Sequence, residues 1–131
     1  MAKNKQHDGA GPSQRQLRVG ELVRRALSDI LMRGDIHDPD LDRFSVTVGE
    51  VRMSPDLRVA TAYVVPLGGE GQDELIGLLA RNQGELRHLI GRSLTLKFVP
   101  ELRFQRDATF DRLDEARELF SRDEVKRDIE D

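Results

Sequence analysis

The residues of this sequence best equipped for chemistry are arginines, in two separated groups. Arg18, Arg24 and Arg25 fall in one segment; Arg81, Arg87 and Arg92 fall in another, with Asn82-Gln83-Gly84 directly after Arg81. A guanidinium is planar, permanently charged, and able to bond two phosphate oxygens at once. A helix that opens at a glycine-containing bend adds free N–H groups and the positive end of its dipole. Arg81, Asn82, Gln83, Gly84, Arg87 and Arg92 therefore form a candidate site for an RNA phosphate backbone. Arg18, Arg24 and Arg25 extend it, with a plainly solvated helix face as their competing reading.

Other chemistries fare worse. There are no cysteines, which excludes disulfides, thiolate zinc sites and cysteine nucleophiles. His7, His37 and His88 share no helical metal-ligand spacing, and no histidine lies near Ser45, Ser54 or Ser93 in sequence except His88, five residues from Ser93 in a surface helix. Asp38, Asp40 and Asp42 alternate like the opening of a calcium loop. Arg43 replaces its turn glycine and Gly49 its closing glutamate, so no metal is expected. Gly68-Gly69-Glu70-Gly71 lacks the Gly-Lys-Ser/Thr ending of a phosphate loop and reads as a connector. Tyr63 and the five phenylalanines are scattered, most at core-like positions, so base stacking is not expected. The chain reads as a non-enzyme without cofactor or metal.

The net charge of −3 argues against nucleic acid only until its distribution is considered. Residues 1–35 carry seven Lys/Arg against four Asp/Glu, whereas 101–131 carry seven against eleven. Between them, 81–106 holds six cations against Glu85 and Glu101. Salt screens charges beyond about 8–10 Å, so a phosphate responds to this local patch.

The elements that must position these groups follow from periodicity. Residues 1–13 are small and polar, a disordered arm. From Gln14 to Gly34, Leu17, Leu22, Val23, Ala26, Leu27, Ile30 and Leu31 recur at helical steps, with Ser13 as cap and Gly34 as stop. Residues 35–43 read as a loop broken by Pro39. Phe44–Met53 and Arg58–Val65 alternate as strands around the turn Ser54-Pro55-Asp56-Leu57. Helical spacing resumes at Gln72, bends at 82–84 and continues to Gly91. Leu94, Leu96 and Phe98 alternate as a third strand that Pro100 ends or bulges, with 101–107 as an irregular extension. Arg112 to Ser121 spaces Leu113, Ala116, Leu119 and Phe120 as a last helix. Residues 109–131 thus combine a helix with an acidic, flexible tail. The order helix, strand, strand, helix, bend, helix, strand gives an α+β fold with its helices on one sheet face. No apolar run approaches the roughly 20 residues of a bilayer span, and the first residues lack a signal-peptide core, so a soluble, cytoplasmic protein is expected.

This order, joined to particular residues, resembles the ribosome-binding factor A family of bacterial assembly factors. The likeness runs from about Gln16 to Phe120. It rests on Arg18-Val19, Asp38-Pro39, Ser54-Pro55-Asp56-Leu57 with Ala60 and Tyr63-Val64, and the segment from Leu96 to Phe104 with Asp107. The resemblance implies a type II KH-like domain over 14–108, its glycine loop shortened to a kink. The family's kink reads Ala-x-Gly, where this chain has Asn82-Gln83-Gly84. It also implies binding to the small (30S) ribosomal subunit, late maturation of the 16S rRNA precursor near its 5′-terminal helix, and a link to growth in the cold. A monomer is the default expectation for so small a domain. A protein–protein module that never touches RNA is the alternative from a different class.

Overall fold

The computed structural model of the chain describes residues 11–108. The expected C-terminal helix and acidic tail, and all but the end of the polar arm, lie outside them. The first helix, α1 (Gln14–Arg33), begins at a capping box: Ser13 Oγ accepts from the Gln16 amide, and Gln16 Oε1 accepts from the Ser13 amide. Gln16 Nε2 also donates to the Met53 carbonyl, 3.0 Å away, which fixes the start of α1 to the sheet. Gly34 ends the helix in the left-handed region. Val23, Leu27 and Ile30 are fully buried, but Leu17 and Leu22, expected on the same stripe, remain 54% and 41% exposed.

Residues 35–43 hold a short helix, α2 (Pro39–Asp42), capped by Asp38. Strands β1 (Val46–Met53) and β2 (Val59–Pro66) form the expected antiparallel hairpin. Its turn closes with the Leu57 amide donating to the Ser54 carbonyl, while Asp56 Oδ1 accepts from Ser54 Oγ and the Arg58 amide. The register shifts between Val48 and Glu50. That bulge lets Val48 and Val51 both point inward although they stand three residues apart. Helices α3 (Gln72–Arg81) and α4 (Gln83–Ser93) form the crossover to β3 (Glu101–Arg106), which pairs parallel to β2. The sheet order is β1-β2-β3. Val48, Met53, Ala60, Ala62, Val64, Leu102 and Phe104 line its inner face and meet Val23, Leu27, Leu75, Leu79, Leu86 and Ile90 of the helices. The outer face presents Glu50, Arg52 and Arg103 to solvent. The molecule is an α+β, KH-like fold with helices packed on one face of a three-stranded sheet.

The third strand differs from its expected place. Leu94, Leu96 and Phe98 carry the right alternation, yet the ladder starts only at Glu101, whose amide donates to the Arg58 carbonyl at 2.8 Å. Pro100 has no N–H to offer, and the Val99 and Pro100 carbonyls are both taken by Arg87. Leu94, Leu96 and Val99 pack against the core from an irregular segment instead, leaving Phe98 52% exposed.

Helix and sheet approach closely at Gly20, where an added Cβ would lie 2.6 Å from the Val51 carbonyl oxygen. Gly20→Val is therefore expected to destabilise the chain by about 1–3 kcal/mol through overpacking. Gly77→Ala makes the contrast, since Gly77 is an exposed position of α3 with nothing within 4 Å of an added Cβ. It is expected to gain about 0.5–1 kcal/mol in helix preference. Urea unfolding of both variants reads the difference, and a stabilised Gly20→Val chain would remove the close-approach account.

Candidate nucleic-acid interface

One residue separates α3 from α4. Asn82 sits at φ −98°, ψ 14°, the sparsely populated bridge between helix and extended backbone. Its amide donates to the carbonyls of Leu78 and Leu79, and the Leu86 amide returns a bond to the Asn82 carbonyl. The chain bends here and not at Gly84. Gly84 is already inside α4, its φ is unexceptional, and an added Cβ would meet nothing within 4 Å. A side-chain amide does the work that spacing assigns to glycine: Asn82 Nδ2 donates to the Leu78 carbonyl at 2.8 Å and to Asp38 Oδ2 at 2.7 Å.

Asp38 organises this corner. Its carboxylate is buried, with Oδ1 accepting from the Asp40 amide. Oδ2 accepts from Asn82 and from Arg81, whose Nη2 lies 2.6 Å away. Arg81 also reaches Asp40 at 3.4 Å. The guanidinium of Arg81, followed by the amide of Asn82, holds the Asp38 carboxyl at about 2, below its ordinary 3.8, and the pairing raises Arg81 in turn. The alternating aspartates thus hold an arginine 43 residues away, a role that local sequence did not announce. The hint was Asp38 directly before Pro39, a common opening for a helix.

The depressed carboxyl carries a pH signature. A group whose folded pKa lies below its unfolded value stabilises the chain above the unfolded value and loses that contribution as acid protonates it. For Asp38 the window runs from pH 3.8 down to about 2. The Asp38→Asn chain is expected to be less stable at neutral pH and to lose less across that window. Urea midpoints at stepped pH check this, and parallel acid limbs for the two chains would refute it.

The remaining arginines divide by partner. Arg87 donates through Nε to the Pro100 carbonyl and through Nη2 to the Val99 carbonyl, both at 3.0 Å. One turn earlier, Gln83 Oε1 accepts from the Leu102 amide at 3.0 Å. Both residues therefore staple α4 to the start of β3. Carbonyls do not cancel charge, so Arg87 stays a full cation. Arg24 and Arg25 share Glu21, whose carboxyl is lowered to about 2 chiefly by the Arg24 hydrogen bond. That trio keeps one net positive charge. Arg18 and Arg92 are exposed and enter no salt bridge among the described residues. Arg81, facing two carboxylates, contributes no net positive charge at all.

The structure thus brings Arg81, Asn82 and Gln83 together at the bend and sets Arg87 and Arg92 along α4. It places Arg18, Arg24 and Arg25 on α1, which packs beside α4. Among the described residues, no cluster of three or more histidine or acidic side chains is arranged to hold a metal ion. None of the described helices is long and apolar enough to cross a membrane.

A family model described as Ribosome-binding factor A matches residues 15–120. The chain is 72% identical over 128 residues to a Ribosome-binding factor A of Roseobacter denitrificans, covering 98% of this chain and 90% of that one. It is 66% identical to the Ruegeria pomeroyi protein of the same description across the full length of both. A crystal structure of ribosome-binding factor A from Thermus thermophilus shares the fold, with a TM-score of 0.60 at 24% identity over 70% of this chain and 94% of that one. A homology model of the Thermus protein, fitted into a cryo-EM map of its 30S complex, aligns with a TM-score of 0.53 at 28% identity, covering 66% of this chain and 88% of that one. With a matching fold, a family model spanning most of its length and relatives this similar from end to end, the chain belongs to the ribosome-binding factor A family.

Proposed function

We propose that this protein is a non-catalytic assembly factor that binds the small (30S) ribosomal subunit and assists late maturation of the 16S rRNA precursor near its 5′-terminal helix. The observation that carries this reading is family membership, joined to a Thermus relative placed in the map of a 30S complex. Local charge supports it: Arg18, Arg87 and Arg92 stand as cations without a carboxylate partner on the two helices that pack together. Arg24 and Arg25 add one net charge, and Arg81 and Asn82 shape the bend at which α4 opens with Gln83 and Gly84. Contacts of this kind read backbone and shape rather than base sequence. The protein acts as a monomer in the cytoplasm, needs no cofactor, and supports growth in the cold.

Co-sedimentation of the full chain through sucrose gradients tests the reading. The chain should travel with free small subunits and be nearly absent from translating ribosomes. Nuclease treatment should release it. Retention after complete digestion of the RNA would favour the protein–protein module instead.

A further inference from the structure

A groove that reaches Pro100, whose carbonyl Arg87 holds, is unexplained by this interface. It lies between the start of α1, the β1–β2 turn and residues 95–100, and encloses about 440 Å³. Val19, Leu22, Leu57 and Leu96 supply apolar wall, and Arg15 and Lys97 stand at its rim. Phe98 also lines it, with half its surface open to solvent. The Arg58 guanidinium lies 5.0 Å from the centre of that ring and the Lys97 ammonium 5.6 Å. None of Arg15, Arg58 or Lys97 enters a salt bridge among the described residues. The one carboxylate lining the groove, Asp56, is bonded to Ser54 Oγ and the Arg58 amide of its own turn.

An exposed aromatic ring flanked by cations that enter no salt bridge is a surface open to a ligand. It matches a ligand with a flat, weakly polar face and an attached anion, which is the make-up of an unpaired nucleotide. We propose that this groove receives a nucleotide from a single-stranded stretch of RNA, its base stacked on Phe98 and its flanking phosphates held by Arg15 and Lys97. The inference rests on the RNA-binding reading above and extends it from backbone to base. A cation over an exposed ring is held weakly, so an incoming base can displace Arg58 and leave it to meet a phosphate. Every base has such a face, so the contact selects unpaired RNA over duplex without selecting sequence. The groove also adjoins α4, because Arg87 holds the carbonyls of Val99 and Pro100 next to Phe98. RNA bound along α4 therefore has a short path to the ring.

Fluorescence anisotropy of the full chain with a labelled single-stranded RNA decamer, and with the same sequence as a duplex, tests this. Phe98→Leu keeps the apolar bulk and removes the π-face. It is expected to weaken single-strand binding about 10-fold while leaving duplex binding unchanged, and Phe98→Trp is expected to restore or exceed the original affinity. Arg15→Gln with Lys97→Gln should lower the salt slope for the single strand by about 1.4. Unchanged single-strand affinity in Phe98→Leu, or equal losses for strand and duplex, would overturn the proposal. So would a chain that ignores the decamer but binds a peptide of residues 109–131, which would assign the groove to its own acidic tail. If Phe98→Leu behaves as the parent while the parent still travels with small subunits, only the groove assignment fails. If the parent does not travel with small subunits, the functional reading itself fails.

Discussion

Replacing Leu86 with alanine is expected to lower the stability of the fold by about 2–5 kcal/mol. The side chain is completely buried, and only it and Ile90 anchor α4 to the core as buried residues. Removing it forfeits the transfer of apolar carbon from water and leaves a void that close-packed neighbours fill only in part. A domain of this size holds roughly 5–15 kcal/mol in total, so the loss is a large fraction of it. The urea midpoint should fall with little change in slope. Met32→Ala is the control: Met32 is 82% exposed at the end of α1, and its loss should stay within about 0.5 kcal/mol. Equal shifts for the two variants would mean that α4 is not seated by Leu86. The consequence reaches function, because α4 carries Arg87 and Arg92, and Arg87 holds the approach to β3 only while its helix is in place.

How much of this was legible in the sequence depends on how local the cause was. The capping box at Ser13 and Gln16, the stop at Gly34 and the turn at Ser54 to Leu57 are decided by residues a few positions apart, and each appears where spacing puts it. Periodicity also identifies α1 as amphipathic, but it cannot say how far along the helix its neighbours extend. Leu17 and Leu22 share the apolar stripe and end up lining open grooves beside the β1–β2 turn. The same limit explains the third strand. Alternation at Leu94, Leu96 and Phe98 records one side packed and one side open, which an irregular segment braced by Arg87 satisfies as well as a strand. That misplacement is why Phe98 reads as core in the sequence when its ring is open to solvent and flanked by cations.

The candidate site was legible as composition and not as partnership. Spacing finds every arginine, but whether its charge is available depends on contacts across the fold. Asp38 and Arg81 stand 43 positions apart and meet only because α2 closes over the end of α3. Glu21, by contrast, lies one turn from Arg24 and Arg25, so that neutralisation was readable from helical spacing alone.

This difference in partners ranks the arginines by expected effect on binding. Arg18→Gln combined with Arg92→Gln removes two charges that no carboxylate offsets. Weakening on the order of 100-fold is expected at moderate salt, about tenfold for each charge-assisted hydrogen bond to phosphate. The slope of log affinity against log salt should flatten by about 2 on duplex RNA, since each lost contact releases one counterion fewer. Arg81→Gln should behave differently. Its charge is already cancelled by Asp38 and Asp40, so the main loss is stability, with the buried Asp38 carboxylate left only the Asn82 side chain and the Asp40 amide. Asp38→Asn combined with Asp40→Asn is the informative opposite: it removes both offsetting charges and leaves Arg81 exposed and cationic, so the salt slope should steepen by up to 1. Anisotropy titrations across a salt series measure all three chains. If the Arg18 and Arg92 double variant keeps the parent slope while Arg81→Gln flattens it, RNA must displace the carboxylates from Arg81. The bend would then be an ion-exchange site that Asp38 holds closed, rather than a hinge that Asp38 merely braces.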